Sequence, residues 1–130
     1  MLFRSLPLLV AGDLNIAPEE NDVWSHRQLL NVVSHTPAET NGLKRVLADG
    51  KLTDIARAKH PASEKLYTWW SYRAADWRLS NRGRRLDHWW ADKRATPLVD
   101  IASYQIHPEE RGGEKPSDHV PVTVSVTVPT

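Results

Sequence analysis

A strict alternation near the C-terminal end sets the firmest limit on what this 130-residue chain can fold into. Val120, Val122, Val124, Val126 and Val128 alternate with Pro121, Thr123, Ser125 and Thr127. A period of two puts the valines on one side, so the spacing predicts a strand over 120–128 with that face in a core. Pro121 has no amide to give a ladder, which confines this strand to an edge or makes Pro121 its entrance. Near the other end, Leu8 to Pro18 reads Leu-Leu-Val-Ala-Gly-Asp-Leu-Asn-Ile-Ala-Pro. An apolar run without polar alternation fits a strand buried on both faces, and a buried helical turn carries the same signature. Gly12 lets the backbone bend and would deliver Asp13 and Asn15, two apart, to one side of an extended chain. Gly-Asp-Leu-Asn is also ordinary turn chemistry.

Between these ends the pattern is helical first and extended later. Val23 to Val33 reads as a short helix or helical turn with Trp24, Leu29, Leu30 and Val33 inward. A better helix starts at Thr36, which can cap it, with Pro37 at the first helical position and Glu39 placed for a capping box. Leu43, Val46 and Leu47 supply its apolar stripe, and Gly50 ends it. A third short helix, about Thr53 to Lys59, stops before Pro61. Leu66 to Tyr72, Arg85 to Ala91 and Leu98 to Ile106 are strand candidates. Ala74 to Arg84 reads as a loop, and His107 to Ser117 as an exposed loop. Strand, helices, then strands again predict a mixed α/β layered arrangement in one domain over 1–130. A chain of this length buries roughly two-thirds of its unfolded surface.

Net charge is only +1, but its distribution is uneven. Between Arg73 and Arg94 stand seven Arg or Lys against three Asp, while the rest of the chain has ten basic against thirteen acidic residues. A basic segment on a near-neutral body predicts a local anionic partner. Five of the six tryptophans (Trp69, Trp70, Trp77, Trp89, Trp90) fall in or beside that segment. Without cysteine, disulfides and zinc–thiolate sites are excluded. The opening run, with a lone Arg4 and a break at Pro7, makes a poor signal peptide and is too short to span a membrane. The expectation is a cytoplasmic protein with no membrane partner.

Polar groups gather at three candidate strand ends: Asp13 with Asn15, Asp87 with His88, and Asp118 with His119. Asp118 after Pro116-Ser117 can equally end a loop. Asp87 lies in an apolar stretch, where a carboxylate must find a partner or raise its pKa. Three carboxylates, a histidine and an amide form an oxygen-rich set of the kind that suits Mg²⁺ or Mn²⁺. A hard metal, a histidine and a carboxylate that orients it can hydrolyse a phosphodiester. His26, His35, His60 and His107 show no ligand spacing and read as surface residues. Trp89 and Trp90 read as core.

Four stretches in order carry a resemblance: Gly12-Asp13-Leu14-Asn15; Tyr67-Thr68-Trp69-Trp70-Ser71-Tyr72-Arg73; Asn81-Arg82-Gly83-Arg84-Arg85-Leu86-Asp87-His88; and Ser117-Asp118-His119-Val120-Pro121-Val122. The series resembles the C-terminal half of the exonuclease III family of DNA repair enzymes, within the endonuclease/exonuclease/phosphatase superfamily, over nearly the whole chain. That resemblance implies half of a DNase I-like four-layer sandwich, a mixed, mostly antiparallel sheet with helices on one face. It implies that Asp13 orients or deprotonates the attacking water and that Asn15 holds it or a phosphate oxygen. His119 would contact the scissile phosphate with Asp87 fixing its ring, and Asp118 would be a ligand of, or near, a divalent metal. Trp69 and Trp70 would line the pocket for an abasic sugar or terminal nucleotide, and Tyr72 and Arg73 would sit against the grooves of double-stranded DNA. Arg84, counted with the substrate-binding residues, departs from the family, where an apolar or aromatic residue usually closes the pocket.

The family's first half supplies an Asn, a metal-binding Glu and a Tyr with no counterpart in this sequence. The expectation is therefore an exposed sheet face that self-associates or takes up a separate N-terminal half. Two other functions remain open at this point: a phosphatase of the same superfamily for phosphorylated lipids or nucleotides, and a catalytically inactive half. A small phosphate ester as substrate separates the first, and loss of metal-dependent cleavage the second.

Overall fold

The computed structural model describes residues 6–128; the opening residues 1–5, including Arg4, lie outside them. Every ladder is antiparallel, and the strands fall into three small sheets rather than one. In the first, β1 (Leu9–Asp13) pairs with β5 (Asp87–Ala91), which also pairs with β2 (Thr53–Asp54). β3 (Trp69–Trp70) pairs with β4 (Gly83–Arg84), and β6 (Val99–Ile106) pairs with β7 (Val122–Val126). The valine alternation holds through β7, where Pro121 stands at the entrance and Val120 is buried. Val128 is exposed, because the ladder ends at Val126.

The local helix signals are met closely. α2 (Pro37–Asp49) has Thr36 as its cap, a complete capping box with Glu39, and Gly50 at its end. Its stripe is narrower than expected: Leu43 is buried, but Val46 is 53% exposed. Ahead of it only a short helix, α1 (His26–Leu29), forms. Leu29 is buried, while Leu30 and Val33 face outward at 39% and 74% exposure. One turn of helix has a single inward position, so the expected four-residue face cannot exist there. α3 (Ile55–Lys59) follows β2 directly and packs on β5 and β6. The expected loop over 74–84 contains α4 (Trp77–Ser80) as well as β4.

Two cores result. The larger gathers Ile55, Ala56, Leu66, Ala91, Val99 and Tyr104, with Trp89 and the β7 valines against it. The smaller gathers Ala17, Val23, Leu29 and Leu86, with Trp24 and Trp69 against it. Trp90 is buried as expected, and Trp89 is partly so. His35 is not on the surface. It is 1% exposed, with Nδ1 donating to the Ala17 carbonyl at 2.7 Å and Nε2 taking a bond from His26 Nδ1 at 2.7 Å.

The segment 107–117 is likewise not simply an exposed loop. A 3-10 helix over Pro108–Gly112 buries Arg111, whose Nε donates to the Trp70 carbonyl at 3.2 Å. Its guanidinium lies over Tyr72 and Trp77. No helix of the described residues is long and apolar enough to cross a membrane.

Candidate active site

The β1/β5 register sets Asp13 directly opposite Asp87. Like charges across a ladder repel, so this pairing calls for a cation between or beside them. At this point Gly12 has φ +148°, a conformation other residues rarely adopt, and Asn15 follows at φ +56°. Asparagine is among the few side chains that tolerate that region. The bend closes on itself: the Asn15 amide donates to Asp13 Oδ1 at 2.9 Å. The apolar run is thus a strand, and its end is a turn as well. The expected burial on both faces does not hold: no residue of β1 is buried, because β1 is the edge strand of its sheet.

His119 stands against this pair and is a cation when protonated. The Trp70 amide donates to the Asp118 carbonyl at 3.0 Å and the Val120 amide to the Thr68 carbonyl at 2.9 Å, which docks 118–120 alongside β3. His119 Nδ1 donates to Asp87 Oδ2 at 2.9 Å, because a carboxylate can only accept. Its Nε2 then lies 3.6 Å from Asp13 Oδ2. Burial pulls the His119 pKa down, but the hydrogen bond and charge of Asp87, with Asp13 and Asp118, overcome it and raise the pKa above the ordinary 6.5. Asp13, Asp87 and His119 each offer a ligand atom within 4.8 Å of the others, the only such trio among the described residues.

Thr68 holds the same oxygen of Asp87 as His119 does. It is fully buried, and its hydroxyl donates to Asp87 Oδ2 at 2.6 Å. The hydroxyl oxygen accepts the amides of Leu86 at 3.0 Å and Asp87 at 3.2 Å. Its donor and acceptor capacity is therefore spent on holding one carboxylate. Nothing in the sequence marks Thr68 for this role, since a threonine in an aromatic strand looks like strand propensity.

Arg85 was also missed, because only the fold shows its partners. Its fork takes Asp22 at 2.7 and 2.9 Å and Asp54 at 3.0 and 2.8 Å, with no exposure at all. Burial alone would raise the Asp22 pKa, yet Arg85 and Arg57 hold it below the usual carboxylate range. His88 turns away from the centre. Burial and the Arg85 charge lower its pKa, and its Nε2 donates to the Ile16 carbonyl at 2.8 Å.

Asp118 points elsewhere than the trio: its Oδ2 accepts from Trp69 Nε1 at 3.0 Å. Trp70 is buried and donates from Nε1 to Asn81 Oδ1 at 3.0 Å. Both tryptophans line a groove of about 980 Å³ that also takes in Asn15, Arg73, Trp77, Arg82, Arg84 and His119. Arg82 lies over Trp24 and Arg84 over Trp69. Tyr72 stands just outside it, 60% exposed, with its hydroxyl donating to the Pro116 carbonyl at 2.7 Å. Gly83 is needed for the β3/β4 approach, since a Cβ there would meet the Tyr67 side chain at 2.5 Å.

The fold and centre define a mixed α/β domain with a carboxylate–histidine cluster beside an arginine–tryptophan groove. Residues 1–119 match the Endonuclease/Exonuclease/phosphatase family, and the chain belongs to that family. It is 33% identical over 126 residues to exodeoxyribonuclease III of Haemophilus influenzae and 30% identical over 125 to an exodeoxyribonuclease of Streptococcus pneumoniae. These alignments cover 92% and 96% of this chain but 45% and 43% of those proteins, so the chain spans less than half the length of these relatives. Among solved structures it resembles a 3' phosphatase from Neisseria bound to product DNA hairpin, with a TM-score of 0.86 at 29% identity. An AP endonuclease from Archaeoglobus fulgidus gives 0.85, also at 29% identity. Each match covers 98% of this chain, and 48% and 49% of the two neighbours respectively.

Proposed function

We propose that the centre hydrolyses phosphodiester bonds of double-stranded DNA with a divalent cation, as a 3'-end exonuclease, an abasic-site endonuclease or both. The observation that carries this reading is the like-charged Asp13/Asp87 pair in register, bridged by His119, at the mouth of a cationic aromatic groove. Asp13, its Oδ1 anchored by the Asn15 amide, would position or deprotonate the water. The Asn15 side chain makes no hydrogen bond among the described residues and would hold the water or a phosphate oxygen. His119, fixed by Asp87 and protonated more readily than usual, would meet the charge that develops on phosphorus. Trp69 and Trp70 would receive the sugar or nucleotide beyond the scissile phosphate, with Tyr72, Arg73 and Arg84 on the surrounding DNA.

The donor set fits a hard cation. Asp13, with Asp87 and His119 beside it, would hold Mg²⁺ or Mn²⁺, and Asp118, turned to Trp69, would lie near it; the ion supplies charge neutralisation on the phosphate when bound. The reading is tested on a recessed duplex and a nicked abasic duplex, each with magnesium or with chelator. Magnesium-dependent cleavage that drops on the order of 10²–10⁴-fold in His119→Ala is the expected result. Equal cleavage by the variant, or none by the wild type, overturns it.

The domain would then correspond to the C-terminal half of the family's sandwich. β1 pairs on one side only, and Leu6 and Leu8 beside it are 58% and 50% exposed. This edge suits a separate N-terminal half or a second copy. Sedimentation that shows a monomer at every concentration counts against the second copy.

A further inference from the structure

The turn that presents Asn15 is held by two buried histidines, neither of which lines the groove. Its backbone is demanding, with Gly12 at φ +148° and Asn15 at φ +56°. A residue other than glycine stays in that region only where its surroundings over-determine it. Two amides fix the chain on either side of Asn15. Leu14 donates to the Leu86 carbonyl at 3.0 Å, and Ala17 to the Ser34 carbonyl at 2.9 Å. The next two carbonyls are each taken by an imidazole. His88 Nε2 donates to Ile16 at 2.8 Å, and His35 Nδ1 donates to Ala17 at 2.7 Å.

A neutral imidazole donates from one nitrogen only, and the partner of the other nitrogen fixes which. At His88 that partner is Arg85, whose Nη1 faces Nδ1 at 3.3 Å. A guanidinium cannot accept, so Nδ1 accepts and the proton stands on Nε2, toward Ile16. At His35 the partner is His26, whose Nδ1 donates to Nε2 at 2.7 Å and keeps the His35 proton on Nδ1, toward Ala17. We propose that His88 and His35 are positioning residues, a clamp on the 14–17 loop that keeps the Asn15 side chain and the Asp13 carboxylate in their working places. The proposal rests on the reading that Asp13 and Asn15 act on the attacking water or a phosphate oxygen. An apolar residue in either place leaves a buried carbonyl without its donor, and the turn relaxes. Misplacing an acting group by about 1 Å costs on the order of 10²-fold in rate. That loss falls on turnover and spares DNA affinity, which belongs to the arginines and tryptophans of the groove.

Amide hydrogen exchange, followed by NMR, reads the clamp without any reaction. In His88→Leu and His35→Leu the Leu14 and Ala17 amides are expected to exchange about tenfold faster, the scale of one lost hydrogen bond, while the β6/β7 ladder keeps its wild-type rates. His88→Gln and His35→Asn carry an amide donor to the same carbonyls and are expected to restore slow exchange. If a leucine variant fails to fold, His26→Ala replaces it: His35 is then free to move its proton to Nε2, and Ala17 is expected to loosen. On a nicked abasic duplex with magnesium, the leucine variants are expected to lose about 10–10²-fold in kcat with KM within about twofold, and the amide variants to regain most of kcat. Wild-type exchange in the loop of the leucine variants overturns the proposal. So does exchange that quickens equally in the β6/β7 ladder, the mark of a merely structural role, or a raised KM at unchanged kcat. A wild type that cleaves no duplex under magnesium sinks the nuclease reading, and the exchange rates of the loop still decide the clamp.

Discussion

Two places in this fold set two carboxylates around one cationic side chain, and they differ in water and in permanence. At the first, Asp22 and Asp54 clasp Arg85, and the side chains of Arg85 and Asp22 have no exposure. At the second, Asp13 and Asp87 flank His119, with side-chain exposures of 38%, 21% and 30%. A guanidinium keeps its proton at any pH a protein meets, and in a dry site its Coulomb attraction is strong. An imidazole trades its proton near neutrality, and solvent can enter its site. The first cluster therefore suits a joint and the second a reaction centre. They are also mechanically connected. Arg85 stands two residues before Asp87, its amide bonded to the Asp22 carbonyl at 2.7 Å, and the Leu86 carbonyl between them accepts the Leu14 amide at 3.0 Å. The dry cluster thereby sets the register that puts Asp87 opposite Asp13.

The largest expected effect breaks the dry cluster. Arg85→Met leaves Asp22 buried without its main counter-charge and should cost about 3–5 kcal/mol in denaturant unfolding. A loss no larger than that of a surface pair, about 1 kcal/mol or less, would mean water already reaches Asp22 and the contrast is false. The acid limb reads the same cluster. With its folded pKa depressed, Asp22 adds stability above its ordinary 3.8 that is lost as pH falls through the lower folded value. Asp22→Asn should flatten that limb.

A smaller effect tests the link from framework to centre. Thr68→Val removes the acceptor of two amides and the donor to Asp87, and should cost about 1–3 kcal/mol in the same assay. Neutral stability with unchanged His119 titration would show that Asp87 holds its place without Thr68. The smallest effect belongs to the wet cluster. By NMR, His119 should titrate above 6.5, and Asp87→Asn should bring its midpoint down. Because the folded pKa is raised, the stabilisation is full below the unfolded value and fades as pH rises through the folded one. A midpoint unmoved by Asp87→Asn would leave His119 without its orienting partner.

Legibility followed the range of the interactions. The Thr36-Pro37-Glu39 cap was readable because its bonds close within four residues. The β7 alternation was readable because period two is a local rule. The outward turn of Leu30, Val33 and Val46, the burial of His35 and the burial of Arg111 were not. Each depends on which distant segment comes to cover the side chain, as Trp70 does for Arg111 from 41 residues away. Thr68 and Arg85 stayed hidden for the same reason, with partners 19 and 63 residues off.

From residue order alone came the kinds of group available: a glycine-hinged Asp-Asn turn, an Asp in an apolar strand, an Asp-His pair before a valine strand, and a basic stretch thick with tryptophan. Side-chain chemistry and local conformation are written residue by residue, so these could be read without a fold. Which carboxylates share a cation was decided only in three dimensions. Asp87 rather than Asp118 holds His119, and Arg85 rather than Arg84 is neutralised. Arg84 ends β4 and lines the groove, while Arg85, just beyond the strand, is tied by its amide to the Asp22 carbonyl and turns its side chain into the framework.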